Sequence, residues 1–298
     1  MTFGITGNLE KPEVVEVLHT LLAQLSDARV PCVLDDRFAK LVRRPKAGRG
    51  ALVCRTLPQD KVPAAADVLL TLGGDGTILR VARLVGRHQT PILGINLGKL
   101  GFLAEVSVGE MTDCVREVIA GAYTVEDRMM LRATAKGTRR NYSALNDIVV
   151  EKHGTSRMVN FVTFVNHEYV ATYAADGIIF SSPTGSTAYS LANGGPILHP
   201  TNRVIAISPI CPHTLTARPI IVTDDSKITV RIEEAPNRIR ITADGQMEEL
   251  LRPPVEVTIQ RAPFVARLVK RLNTSYYDVL RKKLNWGSDI RLRARESR

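Results

Sequence analysis

The sequence predicts two structural classes in one chain: a doubly wound α/β domain over residues 1–121, then an all-β sandwich over residues 122–270. Three observations predict it. Short apolar runs without polar alternation, Val68–Leu72 the clearest, mark strands buried on both faces of a parallel sheet, and helical spacing separates them. Beyond Tyr123 that spacing largely disappears, and short β-rich runs follow one another between turn residues. Residues 276–286 restore a helix-like pattern, with Tyr277, Leu280 and Leu284 on one face, so residues 271–298 are expected to return to the first, Rossmann-like domain.

In chain order, residues 2–6 read as a buried strand and Gly7-Asn8 as a turn. Val14, Leu18, Leu21, Leu22 and Leu25 recur at helical spacing, and residues 30–34 form the next strand. This βαβ opening places ligands beyond the carboxyl ends of the strands. Residues 43–50 combine four cations with proline and glycine and read as an exposed loop. Residues 91–95 form another strand, followed by a tight loop through Gly98 and Gly101, and residues 110–120 form a helix stopped by Gly121. The later strands are expected at 131–135, 158–165, 204–207, 227–232, 238–242 and 255–260, with Asp244-Gly245 as a hairpin turn and 291–298 as a basic tail.

The strand over Val68–Leu72 ends in Gly73-Gly74-Asp75-Gly76-Thr77. Three glycines in four positions admit a ligand close to the backbone, and Thr77 is expected to cap a helix whose free N–H groups point back at the loop. No Gly-Lys-Ser/Thr follows, so this is not a Walker loop. Asp75 instead aims a carboxylate at a phosphate site, where it serves by binding a metal ion or by accepting a proton from an attacking hydroxyl. The bland alternative is a strand-to-helix turn in which Asp75 tolerates an unusual backbone angle.

The chain has 298 residues, 44% of them hydrophobic, enough for two packed domains. Its net charge of +10 is compatible with nucleic acid, an acidic membrane surface or small polyanions, but aromatics are only 5% and no basic stripe is interleaved with them. Polyphosphorylated small molecules fit best, with no nucleic acid and no membrane partner. Cys32, Cys54, Cys114 and Cys211 are widely spaced, which argues against a zinc site or a disulfide framework and fits a reducing cytoplasm. His199 and His213 lack metal-ligand spacing, so no fixed metal cage is expected. The N-terminus has no basic region followed by an apolar segment.

Between Glu168 and Arg203 the only formal charge is Asp176, in a stretch rich in glycine, serine, threonine and proline. Such small donors, with Tyr189 as an aromatic platform, suit a neutral ribose, amide or nucleobase surface; ordinary β connections are the alternative.

The glycine-aspartate signature at Leu72–Thr77 resembles that of NAD kinases, diacylglycerol and sphingosine kinases, and phosphofructokinases. Residues 182–190, Ser-Pro-Thr-Gly-Ser-Thr-Ala-Tyr-Ser, narrow this to NAD kinases, as do Ala144-Leu145-Asn146-Asp147, Asp244-Gly245-Gln246 and the segment 276–287. The resemblance implies ATP-dependent phosphorylation of the 2′-hydroxyl of the adenosine ribose of NAD, with Mg²⁺ or another divalent cation on ATP. It implies that Asp75 is the proton acceptor and that Asp75 and Gly76 touch NAD. Asn146 and Asp147 would hold ribose hydroxyls, while Thr187, Ala188, Tyr189, Ser190 and Ala192 line the NAD site. Asp176 would meet the nicotinamide half or come from a neighbouring subunit. Gly73, Gly74, Thr77, Arg80 and Arg157 are candidate phosphate contacts, and Gln246 lies near a second nucleotide. A homodimer or homotetramer is also implied, with ATP or inorganic polyphosphate as donor. Without the resemblance, Asn146 reads as a turn cap, Asp147 as a surface charge and Tyr189 as core. Ala174 stands where the family often has Arg or Lys, and Ser182 where it often has threonine. A lipid kinase and a non-catalytic NADP sensor are the rival readings.

Overall fold

The computed structural model describes residues 1–41, 54–98, 101–154, 157–272 and 274–286. The basic loop at 43–50 and the tail at 291–298 lie outside them. The chain divides into two compact units, residues 1–126 with 267–298 and residues 127–266.

The first unit holds β1 (Phe3–Gly7), α1 (Val14–Asp27), β2 (Cys32–Asp35), α2 (Asp36–Ala39), β3 (Cys54–Leu57), β4 (Val68–Leu72), α3 (Asp75–Val85), β5 (Ile92–Asn96), β6 (Val106–Ser107) and α4 (Met111–Ile119). Its sheet is parallel in the order β3-β2-β1-β4-β5, so the strand sequence reverses direction between β1 and β4. In a doubly wound sheet that reversal opens the crevice where ligands bind. Val14, Val17, Leu18, Leu21 and Leu25 of α1 and Met111, Val115 and Val118 of α4 share one core with Phe3, Ile5, Leu70 and Leu93. The apolar spacing of α1 is therefore the spacing of its buried face.

The second unit is the sandwich. β7 (Tyr123–Ala135) leads into it, followed by β8 (Asn141–Ala144), β9 (Asp147–Lys152), β10 (Val159–Val165), β11 (Glu168–Ala175), β12 (Gly177–Ser181), α5 (Tyr189–Ala192), β13 (Val204–Ile210), β14 (Ile220–Thr223), β15 (Ile228–Ile232), β16 (Ile239–Ala243), β17 (Met247–Leu251) and β18 (Val255–Arg271). One antiparallel sheet runs β14-β13-β12-β9-β16-β17; the other contains β11-β10-β15-β18, with β7 and β8 beyond. Ile148, Phe180 and Ile241 from the first sheet meet Phe161, Val230 and Val257 from the second in a single core. β18 begins in this unit and ends in the first, where Leu268 pairs in parallel with Ile92 of β5, and α6 (Tyr276–Leu284) follows there.

Two expectations are corrected. The helix after the glycine turn starts at Asp75, with Gly74 as its N-cap and no side-chain capping bond, so Thr77 does not cap it. The extended backbone of Gly74 already supplies the N-cap geometry, and Thr77 is buried in the first turn. The structure also adds strands beyond those expected, among them β9 and β12, whose apolar runs are only three residues long, and β11, where Thr172 and several alanines dilute the pattern. Among the described residues no helix is long and apolar enough to cross a membrane.

Candidate active site

In the first unit the site begins where β4 ends. Gly73 has φ +151°, and a Cβ there would stand 2.3 Å from Thr77 Oγ1, so the turn between strand and helix requires glycine. Asp75 follows as the first residue of α3. Its Oδ2 accepts from the backbone N–H of Phe102 at 2.8 Å, and its Oδ1 accepts from Leu103 and Ala104 at 3.0 Å each. A carboxylate offers about four lone-pair directions. Three are committed, which fixes the side chain and leaves one for a ligand. The same loop comes so close that a Cβ on Gly101 would lie 1.8 Å from Asp75 Oδ1. The loop is legible in the sequence as a tight turn, but its grip on Asp75 is not. Arg80, one and a half turns along α3, donates from Nη2 to the Gly7 carbonyl at 2.8 Å.

In the second unit Asn146 and Asp147 enter β9, and the segment that follows β12 is sewn to them. Ser182 N–H donates to Asn146 O at 2.9 Å, and Ser182 Oγ donates to Leu145 O at 2.5 Å. The hydroxyl that matters here is present in serine and threonine alike. From the β16–β17 hairpin, the buried carboxylate of Asp244 accepts from the N–H groups of Leu145 (3.1 Å), Asn146 (2.8 Å) and Asp147 (3.3 Å). Asp244 is therefore the post on which the Asn146–Asp147 turn is hung.

Around this turn lies a cavity of about 460 Å³ lined by Asn146, Asp147, Val149, Glu151, Ala188, Tyr189, Arg240, Thr242, Asp244, Gly245 and Glu248. Tyr189 is 44% exposed and faces it, so it is not a core residue; Asp147 is 5% exposed, so it is not a surface charge. Burial, and then the neighbouring Asp244 charge, push the Asp147 carboxyl up to about 7. Arg240 Nε donates to Glu151 Oε1 at 2.9 Å. Glu151, Arg240, Thr242 and Glu248 were not anticipated, because strand pairing alone gathers them.

The remaining predicted residues are placed individually. Ser190 is buried, its hydroxyl without a hydrogen-bond partner among the described residues, and Thr187 Oγ1 donates to Thr184 O at 3.3 Å. Ala192 ends α5. Asp176 pairs with Lys152 at 2.6 Å, while Gln246 closes the β16–β17 hairpin through its N–H to Ala243 O at 3.0 Å. Arg157 lies on the exposed connection before β10. None of these six lines the cavity. The described residues include no group of three or more His, Cys, Asp or Glu side chains able to hold a metal ion.

Comparison with known proteins follows the same two halves. Residues 3–123 match the ATP-NAD kinase N-terminal domain and residues 145–271 the ATP-NAD kinase C-terminal domain. An NAD kinase of Moorella thermoacetica is 42% identical over 286 residues, covering 95% of this chain and 89% of that protein. An NAD kinase of Geobacter sp. strain M21 is 39% identical over 288 residues, covering 95% and 98%. Among solved structures, a yeast NADH kinase complexed with NADH superposes with a TM-score of 0.88 at 27% identity, covering 98% of this chain and 89% of that one. With both halves matched and relatives similar along nearly the whole length, the chain belongs to the ATP-NAD kinase family.

Proposed function

We propose that this chain transfers the γ-phosphoryl group of ATP to the 2′-hydroxyl of the adenosine ribose of NAD, giving NADP and ADP. The observation that carries the reading is Asp75, a carboxylate fixed by three backbone N–H groups at the N-terminus of α3 in a chain of this family. A secondary hydroxyl is a weak nucleophile. As its oxygen bonds to the γ-phosphorus and the bond to the β,γ-bridging oxygen breaks, the remaining lone-pair direction of Asp75 takes the proton.

Asn146 and Asp147 hold ribose hydroxyls: the amide donates and accepts, and a carboxyl that titrates near neutrality does both as well. Tyr189 offers an exposed ring to a base or nicotinamide, and Thr187, Ala188, Ser190 and Ala192 are assigned to the NAD site with it. Gly76 approaches NAD beside Asp75; Gly73, Gly74 and Thr77 border the donor phosphates, with Arg80 and Arg157 as their cations. Gln246 is assigned to the second nucleotide and Asp176 to the nicotinamide half or a neighbouring subunit. A divalent cation supplies charge neutralisation on the ATP phosphates when bound; lacking a cage of three ligands among the described residues, it would be held largely by those phosphates. The family resemblance also supports a cytoplasmic homodimer or homotetramer.

The test follows NADP formation with an NADP-specific dehydrogenase. Asp75→Asn should lower kcat by roughly 10²–10⁴ while NAD binding persists, the range expected for loss of a general base. Unimpaired turnover by that variant removes Asp75 from the chemistry.

A further inference from the structure

At the carboxyl ends of β1 and β2 the first unit builds a second polar cluster, separate from Asp75. Asp35 closes β2, fully buried, and accepts from Thr6 Oγ1 at 2.8 Å. It also caps α2 by accepting from Arg37 N at 3.0 Å, and it is gripped by the Arg37 side chain, with Nε at 3.1 and 3.2 Å and Nη2 at 2.6 Å. One guanidinium thus neutralises one buried carboxylate. Burial would push the Asp35 carboxyl up, but the bonds from Arg37 and Thr6 outweigh it and hold it below the usual range.

A second guanidinium then enters the same cluster. With the Gln59 amide oriented so that its oxygen faces donors, that oxygen lies 2.7 Å from Arg80 Nη1 and 2.5 Å from Arg37 Nη2. Two arginines share one neutral acceptor; the buried Asp35 carboxylate is held by Arg37, and the Asp36 charge also acts on Arg37. Burial and then the charge of Arg37 push the Arg80 guanidinium below its ordinary value. An anion bound beside the two guanidinium groups would relieve their mutual repulsion.

The cluster also adjoins the glycine turn. Asn8 N–H donates to Leu72 O at 2.8 Å, tying the β1–α1 turn to the end of β4, and Arg80 holds the Gly7 carbonyl next to it. Arg37 Nη1 carries no hydrogen bond among the described residues, and the side chain is 36% exposed. We propose that Arg37, set in place by Asp35 and paired with Arg80 through Gln59, binds the phosphate chain of the phosphoryl donor. Guanidinium forks match phosphate oxygens, and Arg37 and Arg80 bring two of them side by side. The inference rests on the kinase reading and adds a donor-binding residue to it.

Arg37→Ala alone strands a buried carboxylate and risks misfolding, so the decisive variant is the double Asp35→Asn/Arg37→Ala in the full chain. Its KM for ATP should rise about tenfold, the loss expected for a charged hydrogen bond, while its KM for NAD stays within twofold. Calorimetry with tripolyphosphate, read without turnover, should show a similar loss of affinity. Unchanged KM for ATP and unchanged tripolyphosphate affinity overturn the inference. Weakened ATP binding with tripolyphosphate unaffected also overturns it, because the contact would then lie on the nucleoside. Failure of the wild-type chain to make NADP sinks the kinase reading instead, and the tripolyphosphate titration still judges Arg37.

Discussion

Asp147 lies almost wholly out of water beside a second carboxylate, and that decides how it responds to pH. Its folded value of about 7 stands above the unfolded value near 4, so between those limits the folded chain holds a proton that the unfolded chain has released. The sign follows: this group's contribution to stability is complete below pH 4, declines as pH rises, and is gone above 7. Asp147→Asn removes the titration. Urea unfolding from pH 4 to 8 should show the variant gaining on the wild type by up to about 1.4 kcal/mol per pH unit. A constant difference across that range contradicts the buried carboxyl pair.

The loop from Gly101 to Ala104 and the helix α3 make one device, since the loop's N–H groups and the helix's first residue hold each other. Gly101→Ala tests it without removing a polar group. The added methyl meets the Asp75 carboxylate, which must turn away at the cost of its hydrogen bonds, so thermal stability should fall while the fold persists. The displaced carboxylate leaves its three donors, and kcat should fall on the order of 10²-fold, as for comparable misplacement of reacting groups. Loss of folding with no separate loss of activity per folded molecule would contradict this. Element by element, legibility followed periodicity. Val68–Leu72 and α1 were readable because burial there imposes an uninterrupted or 3.6-residue pattern. β12 was not, because Gly177–Ser181 runs into a segment whose small polar residues read as a binding surface. The cavity was half legible: Asn146, Asp147, Ala188 and Tyr189 came from local motifs, whereas Glu151 and Arg240 are 89 residues apart in sequence and meet only through pairing of β9 with β16.

At the scale of the molecule, the first unit is assembled from two distant pieces of chain. Val269 joins its core, Lys270 pairs with Glu105, and Arg271 donates to Glu117 at 2.8 and 2.6 Å; Val279 and Leu280 of α6 are buried. A chain ending at Ala266 loses all of these at once. We expect it to retain a β-rich circular dichroism signal while losing the cooperative transition of the α/β unit, and an unchanged two-unit melting profile would refute that. The division has a further consequence during synthesis. The ribosome makes residues 1–126, then 140 residues of sandwich, before it delivers the strand that completes the first sheet. At roughly 5–20 residues per second, β5 waits on the order of ten seconds or more with only the two-residue β6 against its outer edge. A nascent open edge of that kind invites foreign strands, so chaperone dependence in this protein should concentrate in the interval between the emergence of β5 and the arrival of Leu268.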